Sequence, residues 1–159
     1  MFDDLSDLYQ EIILDHGKNP RNKRSVEGST HQGYGTNPMC GDKLALFLRL
    51  SDQEVIEDVA FQGEGCAISQ ASASLLTEVL VGKTKAQAQE LFQAFHHLTT
   101  GGTVKGVSDA LADDFARLEV LGGVRAFPMR VKCATLAWHT VDHALNRTPE
   151  ARAASQINE

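Results

Sequence analysis

Residues 44–80, LALFLRLSDQEVIEDVAFQGEGCAISQASASLLTEVL, carry two strands and a helix in one unbroken run. Leu44 to Leu50 and Val55 to Phe61 read as β-strands, and Ser51-Asp52-Gln53 between them predicts an antiparallel hairpin. From Ala67 to Val81 the pattern becomes helical, with the small residues Ala67, Ser69, Ala71 and Ser72 early and Leu75, Leu76, Val79 and Leu80 later. Small side chains at the start of that helix allow close approach of a neighbouring element.

Upstream, Asp3 to Asp15 has Leu5, Leu8, Ile12 and Ile13 on one helical face, and Gly17-Lys18-Asn19-Pro20 stops it. Arg21 to Met39 is polar and rich in Gly, Asn and Ser, and reads as a surface loop. Downstream, Thr84 caps a helix to about Leu98, and Thr100-Gly101-Gly102-Thr103 breaks it. Asp109 to Leu121 predicts a shorter helix. Pro128 suits the first turn of a last helix running to about Asn146, with Val131, Ala134, Trp138, Val141 and Leu145 as its buried seam. Residues 148–159 read as a frayed tail.

A chain of 159 residues suggests one domain, and 42% apolar with 23% charged residues is ordinary globular composition. A formal charge of −6 argues against a nucleic-acid or anionic-membrane partner, although basic residues gather at Lys18 to Arg24 and at Arg125 to Lys132. No apolar run reaches the ~20 residues that span a bilayer, and Met1-Phe2-Asp3-Asp4 is no signal peptide, so a cytoplasmic protein is expected. Three cysteines is an odd number; under reducing conditions that favours metal binding or thiol chemistry over disulfides.

Each cysteine stands at an element end or in a charged context. Cys40 lies in Asn37-Pro38-Met39-Cys40-Gly41-Asp42, and extended backbone there would project the thiol and the Asp42 carboxylate on one face. Cys66 closes Gly63-Glu64-Gly65-Cys66 at a helix start, where backbone N–H groups favour a thiolate. Cys133 follows Arg130 by three residues, so the two share a helical face and the guanidinium favours the thiolate. Three thiols and a carboxylate complete a tetrahedral zinc shell, and the same thiols could carry sulfur. No Cys-x-x-Cys pair exists, which removes zinc-ribbon and thioredoxin readings.

Asn37-Pro38-x-Cys40-Gly41-Asp42, Gly63-x-Gly65-Cys66-Ala67-Ile68-Ser69 and Phe127-Pro128-x-Arg130-x-Lys132-Cys133-Ala134-x-Leu136-x-Trp138 closely resemble the U-type scaffold proteins of iron–sulfur cluster assembly (SufU, IscU and the NifU N-terminal domain). Leu8-Tyr9-x-x-Ile12-x-x-x-His16 and the Asn19-Pro20-Arg21-Asn22 turn extend the resemblance over nearly the whole chain. It implies an α+β fold, a small antiparallel β-sheet of about three strands packed against several α-helices. It also implies one domain over residues 1–147, followed by the tail.

The IscU-like branch carries a histidine directly before its third cysteine, where this chain has Lys132; the stretch between second and third cysteines is also longer, around Thr100 to Ala112. Both features resemble the SufU-like branch. That resemblance implies Zn2+ on Cys40, Asp42, Cys66 and Cys133, with Asp42 as fourth ligand. It implies Cys40 as the acceptor of persulfide sulfur from a pyridoxal-phosphate cysteine desulfurase (SufS-like), Arg130 as the group that orients the thiolate, and downstream sulfur or cluster acceptors. The alternatives are a non-enzymatic scaffold assembling a [2Fe–2S] cluster, or binding iron, on the same cysteines, and a purely structural zinc domain.

Other signals are weaker. Gly82-Lys83-Thr84 resembles the end of a phosphate loop, but Thr77 stands where its first glycine belongs. His139 and His143, four apart, read as a solvated helix face, and His96-His97 as a helix-end pair favoured by the dipole. Without a Gly-x-Ser-x-Gly elbow, serine hydrolysis has no anchor.

Overall fold

Along Asp42–Leu50 burial alternates strictly, and the leucines at 44, 46, 48 and 50 face inward. The computed structural model describes residues 2–101 and 107–146, so the expected tail from residue 148 lies outside the described residues. β1 (His31–Asn37), β2 (Asp42–Leu50) and β3 (Ile56–Glu64) form an antiparallel meander in the order β1-β2-β3, with Asn37 paired to Asp42 and Leu46 to Phe61. The helices are α1 (Phe2–Lys18), α2 (Ala67–Leu80), α3 (Lys85–Thr100), α4 (Ala112–Leu118) and α5 (Pro128–Leu145). The α+β fold with a three-stranded sheet is therefore as expected.

β1 corrects the reading of Arg21 to Met39 as loop. Its sequence, HQGYGTN, lacks the alternating apolar signature of a strand because α5 lies directly against its backbone. A Cβ on Gly33 would come within 2.9 Å of the Thr140 carbonyl, and one on Gly35 would overlap the Thr140 hydroxyl. Glycine here serves close backbone approach, which periodicity does not register.

The segment read as one helix over Asp109 to Leu121 is a 3₁₀ turn (Asp109–Leu111), then α4, then a 3₁₀ stretch (Glu119–Ala126). Gly122 in that stretch packs against Leu98, and a Cβ would reach Leu98 Cδ1 at 3.0 Å. Thr84 caps α3 through a reciprocal capping box with Gln87, and Gly101 ends it at φ +83°. Phe95 of α3 stacks on Trp138 of α5 with ring centroids 5.1 Å apart, at the centre of the core. No helix among the described residues is long and apolar enough to cross a membrane.

Candidate functional site

The β1–β2 connection is closed by the Asn37–Asp42 pair. The Cys40 N–H donates to the Asn37 carbonyl at 3.2 Å, and Gly41 sits at φ +73°. The chain thus turns at Gly41 instead of running extended from Cys40 to Asp42; glycine takes this left-handed backbone without strain. Thiol and carboxylate still meet, because Asp42 is the first inward-facing residue of β2 and the turn brings Cys40 beside it.

Asp42 is 1% exposed. Its Oδ1 accepts hydrogen bonds from the Cys66 N–H at 2.9 Å and from the Ser69 hydroxyl at 3.2 Å. A strand carboxylate therefore caps the N-terminus of α2, whose N-cap Cys66 supplies no side-chain cap of its own. Gly65 makes the seat possible, since a Cβ there would overlap both Asp42 Oδ1 and Ser69 Oγ. Asp42 Oδ2 is buried and accepts no hydrogen bond from the described residues.

Cys133, on the second turn of α5, is fully buried. Its Sγ lies 3.2 Å from Cys40 Sγ and 3.6 Å from the Met129 carbonyl, and the Asn37 side-chain amide donates to it at 3.8 Å. Ligand atoms of Cys40, Asp42 and Cys133 all fall within 4.8 Å of one another, and among the described residues no other set of three His, Cys, Asp or Glu side chains does so. Such a set could hold a metal ion. The Cys66 thiol lies outside that mutual set, though close enough to help raise the Cys133 pKa. Burial pushes the Cys133 thiol pKa well up, and its contacts with Cys40, Cys66 and Asp42 push the same way. All three cysteines are free thiols.

Arg130 is exposed, on the wall of an open, largely apolar groove of about 900 Å³ that Cys66, Ile13, Ile68, Leu98 and Val124 also line. Neither oxygen of Asp42 pairs with it. Lys132, before the third cysteine, is exposed. His139 packs edge-on against Phe92 (5.2 Å) and His96 (5.9 Å). Lys83 pairs with Asp114 at 2.9 Å, and Thr84 is the α3 cap, so Gly82-Lys83-Thr84 is a helix connection. Sequence reasoning singled out Cys40, Asp42, Cys66 and Cys133 but not the supporting parts Asn37, Gly65 and Ser69. The one signal for these was their place inside the cysteine motifs.

Residues 8–134 match the family model described as "NifU-like N terminal domain". The chain belongs to that family. Its NifU-like relatives include the "Zinc-dependent sulfurtransferase SufU" of Bacillus subtilis, 41% identical over 87% of this chain and 89% of that protein. They also include the "Iron-sulfur cluster assembly scaffold protein IscU" of Streptococcus pyogenes serotype M1, 35% identical over 97% of this chain and 92% of that one. Among solved structures, the putative iron–sulfur cluster assembly scaffold protein for the SUF system from Fervidobacterium islandicum superposes with a TM-score of 0.73 at 33% identity, covering 86% of this chain and 95% of that one. The NifU-like family thus spans iron–sulfur assembly proteins named as scaffolds and as sulfur-transferring enzymes, and this chain is similar to both kinds.

Proposed function

We propose that this protein is a zinc-dependent sulfur carrier of iron–sulfur cluster assembly, accepting persulfide sulfur on Cys40 from a pyridoxal-phosphate cysteine desulfurase. The observation that carries the reading is Asp42 Oδ2, a buried carboxylate oxygen without a hydrogen-bond partner, set against the Cys40 and Cys133 thiols. The residues fit a metal ion. Three thiolates and one carboxylate oxygen form a closed donor set suited to zinc, with Cys66 as the further thiolate beside Cys40, Asp42 and Cys133. Bound zinc would keep the thiols deprotonated and reduced and tie the elements that carry them together.

Cys40 is the acceptor because it sits half-buried in a hairpin loop, whereas Cys66 starts one helix and Cys133 is buried within another. Its thiolate attacks the outer sulfur of the donor's cysteine persulfide. The donor S–S bond breaks, the desulfurase cysteine leaves as thiolate, and Cys40 carries the new persulfide; no external oxidant or reductant is consumed. Arg130 steadies the anionic sulfur from the groove side. Met39, Phe127 and Met129, exposed at 65%, 62% and 53%, flank Cys40 or begin α5, and they support docking of a protein partner over the thiols. The work belongs to the cytoplasm, where three unbridged thiols persist.

Desulfurase turnover on cysteine, measured with and without the protein, tests the reading. Turnover should rise with wild type, fall to the unstimulated rate with Cys40→Ser, and fall in part with Arg130→Ala while zinc stays bound. Mass spectrometry should place the persulfide on Cys40. Persulfide on Cys66 or Cys133 alone, with Cys40→Ser still active, would sink the assignment. A brown cluster in place of colourless zinc, retained through purification, would make the protein a scaffold.

A further inference from the structure

The two oxygens of Asp42 stand in different surroundings. Oδ1 takes two hydrogen bonds from the first turn of α2, and Oδ2 takes none. Of the two donors to Oδ1, the Cys66 N–H belongs to the backbone and every residue but proline would supply it. The Ser69 hydroxyl is a side-chain choice. Ser69 is fully buried, with its Oγ 3.2 Å from Asp42 Oδ1 and 3.1 Å from the Cys66 carbonyl, so its one proton is shared between two acceptors on the same side of the site. The neighbouring buried serines of α2 have other partners: Ser72 donates to the Ala134 carbonyl, and Ser74 bonds His16 Nδ1.

We infer that Ser69 is a positioning residue for metal binding, holding Asp42 Oδ1 on the start of α2 so that Oδ2 alone is presented to the thiols. The inference rests on the proposed zinc site and deepens it. A carboxylate can ligate through one oxygen or both, and a closed tetrahedral shell has room for one. An oxygen already accepting two hydrogen bonds is held away from a cation, whereas a carboxylate with one such bond can swing to offer both oxygens. Groups that fix ligands in this way affect metal affinity without touching the metal. The same contacts join the carboxylate to Cys66, since Oδ1 accepts the N–H of the residue that carries a second proposed ligand.

The test compares Ser69→Ala, Ser69→Thr and, as a control on the same helix away from the carboxylate, Ser72→Ala. Zinc affinity is read by competition with a colorimetric chelator, and coordination by the visible bands of the cobalt-substituted protein. Ser69→Ala should bind zinc about 10- to 100-fold more weakly. Its cobalt bands should weaken, because a fifth donor reduces the intensity characteristic of tetrahedral cobalt. Ser69→Thr, which keeps the hydroxyl, should restore both readouts, and Ser72→Ala should keep wild-type affinity even if it melts earlier. Wild-type affinity and spectrum in Ser69→Ala would overturn this inference alone, as would equal losses in Ser69→Ala and Ser72→Ala or a folded Ser69→Thr that stays weak. Absence of zinc binding by the wild type would overturn the zinc reading and this inference with it.

Discussion

Gly65 lies with its Cα against the Asp42 carboxylate, where a Cβ would overlap both Oδ1 and the Ser69 hydroxyl. Adding one methyl group at this position must displace the carboxylate or the first turn of α2, because both neighbours are buried. Gly65→Ala should therefore weaken zinc by about 10- to 100-fold, the range seen when groups supporting metal ligands are lost. Gly123→Ala, where a Cβ meets nothing within 4 Å, should leave affinity as it was. Chelator competition on the two variants checks this, and equal affinities would show that the carboxylate seat tolerates a methyl group. The donor residues themselves were legible in the sequence, because Cys and Asp in Gly- and Pro-flanked motifs advertise their chemistry. Asn37, which donates to Cys133 across 96 positions of sequence, and Ser69, which reaches back 27 positions to Asp42, were not. An amide or a hydroxyl has no chemical signature until its partner is in place.

Between elements, the strands with apolar alternation and the helices with caps could be read directly: the β2–β3 hairpin, Thr84 at the start of α3 and Pro128 at the start of α5 all stand where expected. β1 escaped because packing against α5 chose its residues for smallness, not apolarity. The same contact gives a test. A Cβ on Gly35 would overlap Thr140 Oγ1 and approach Leu136 Cδ1 at 3.0 Å. Thr140 is not free to turn away at no cost, since its hydroxyl already donates to the Leu136 carbonyl at 2.8 Å. Gly35→Ala should cost about 1–3 kcal/mol, the usual penalty for forcing extra volume into a packed contact. Urea unfolding of wild type and variant gives the number. A loss within about 0.5 kcal/mol, typical of an unconstrained surface site, would mean that α5 moves aside freely, and that the Cys133 it carries is less firmly placed than its burial indicates.

Across the whole molecule, α2 is a central buried element: it packs against α1, α5 and β3, and eleven of its fourteen residues are buried. Three of its polar residues, Gln70, Ser74 and Thr77, are tied to the N-terminal part of the chain. Ser74 bonds His16 and the Arg21 N–H, Thr77 bonds the Asn22 amide, and Gln70 accepts from Lys23. His16 is the titratable member of this belt. It is 7% exposed, with Nδ1 2.7 Å from Ser74 Oγ and Nε2 3.9 Å from Glu78 Oε1; Arg117 pairs with that same Glu78, and Arg21 pairs with the adjacent Asp15. Burial pushes the His16 pKa below the ordinary 6.5, and Arg21 lowers it further, against the weaker upward pull of Glu78 and Asp15. The folded protein therefore holds His16 neutral at a pH where the unfolded chain takes up a proton. A base with a depressed folded pKa contributes stability that is fully present above its unfolded pKa and is lost as pH falls below it. His16→Asn keeps a polar group beside Ser74 but cannot titrate. The stability difference between wild type and His16→Asn should accordingly be largest above about pH 7 and shrink as the pH falls through 6.5 toward 5. Urea titrations of both proteins across that range measure the difference directly, and zinc loss at low pH, common to both, cancels from it. A difference that stays constant down to pH 5 would mean that His16 is protonated equally in the folded and unfolded states, and that the belt between α1 and α2 is indifferent to its charge.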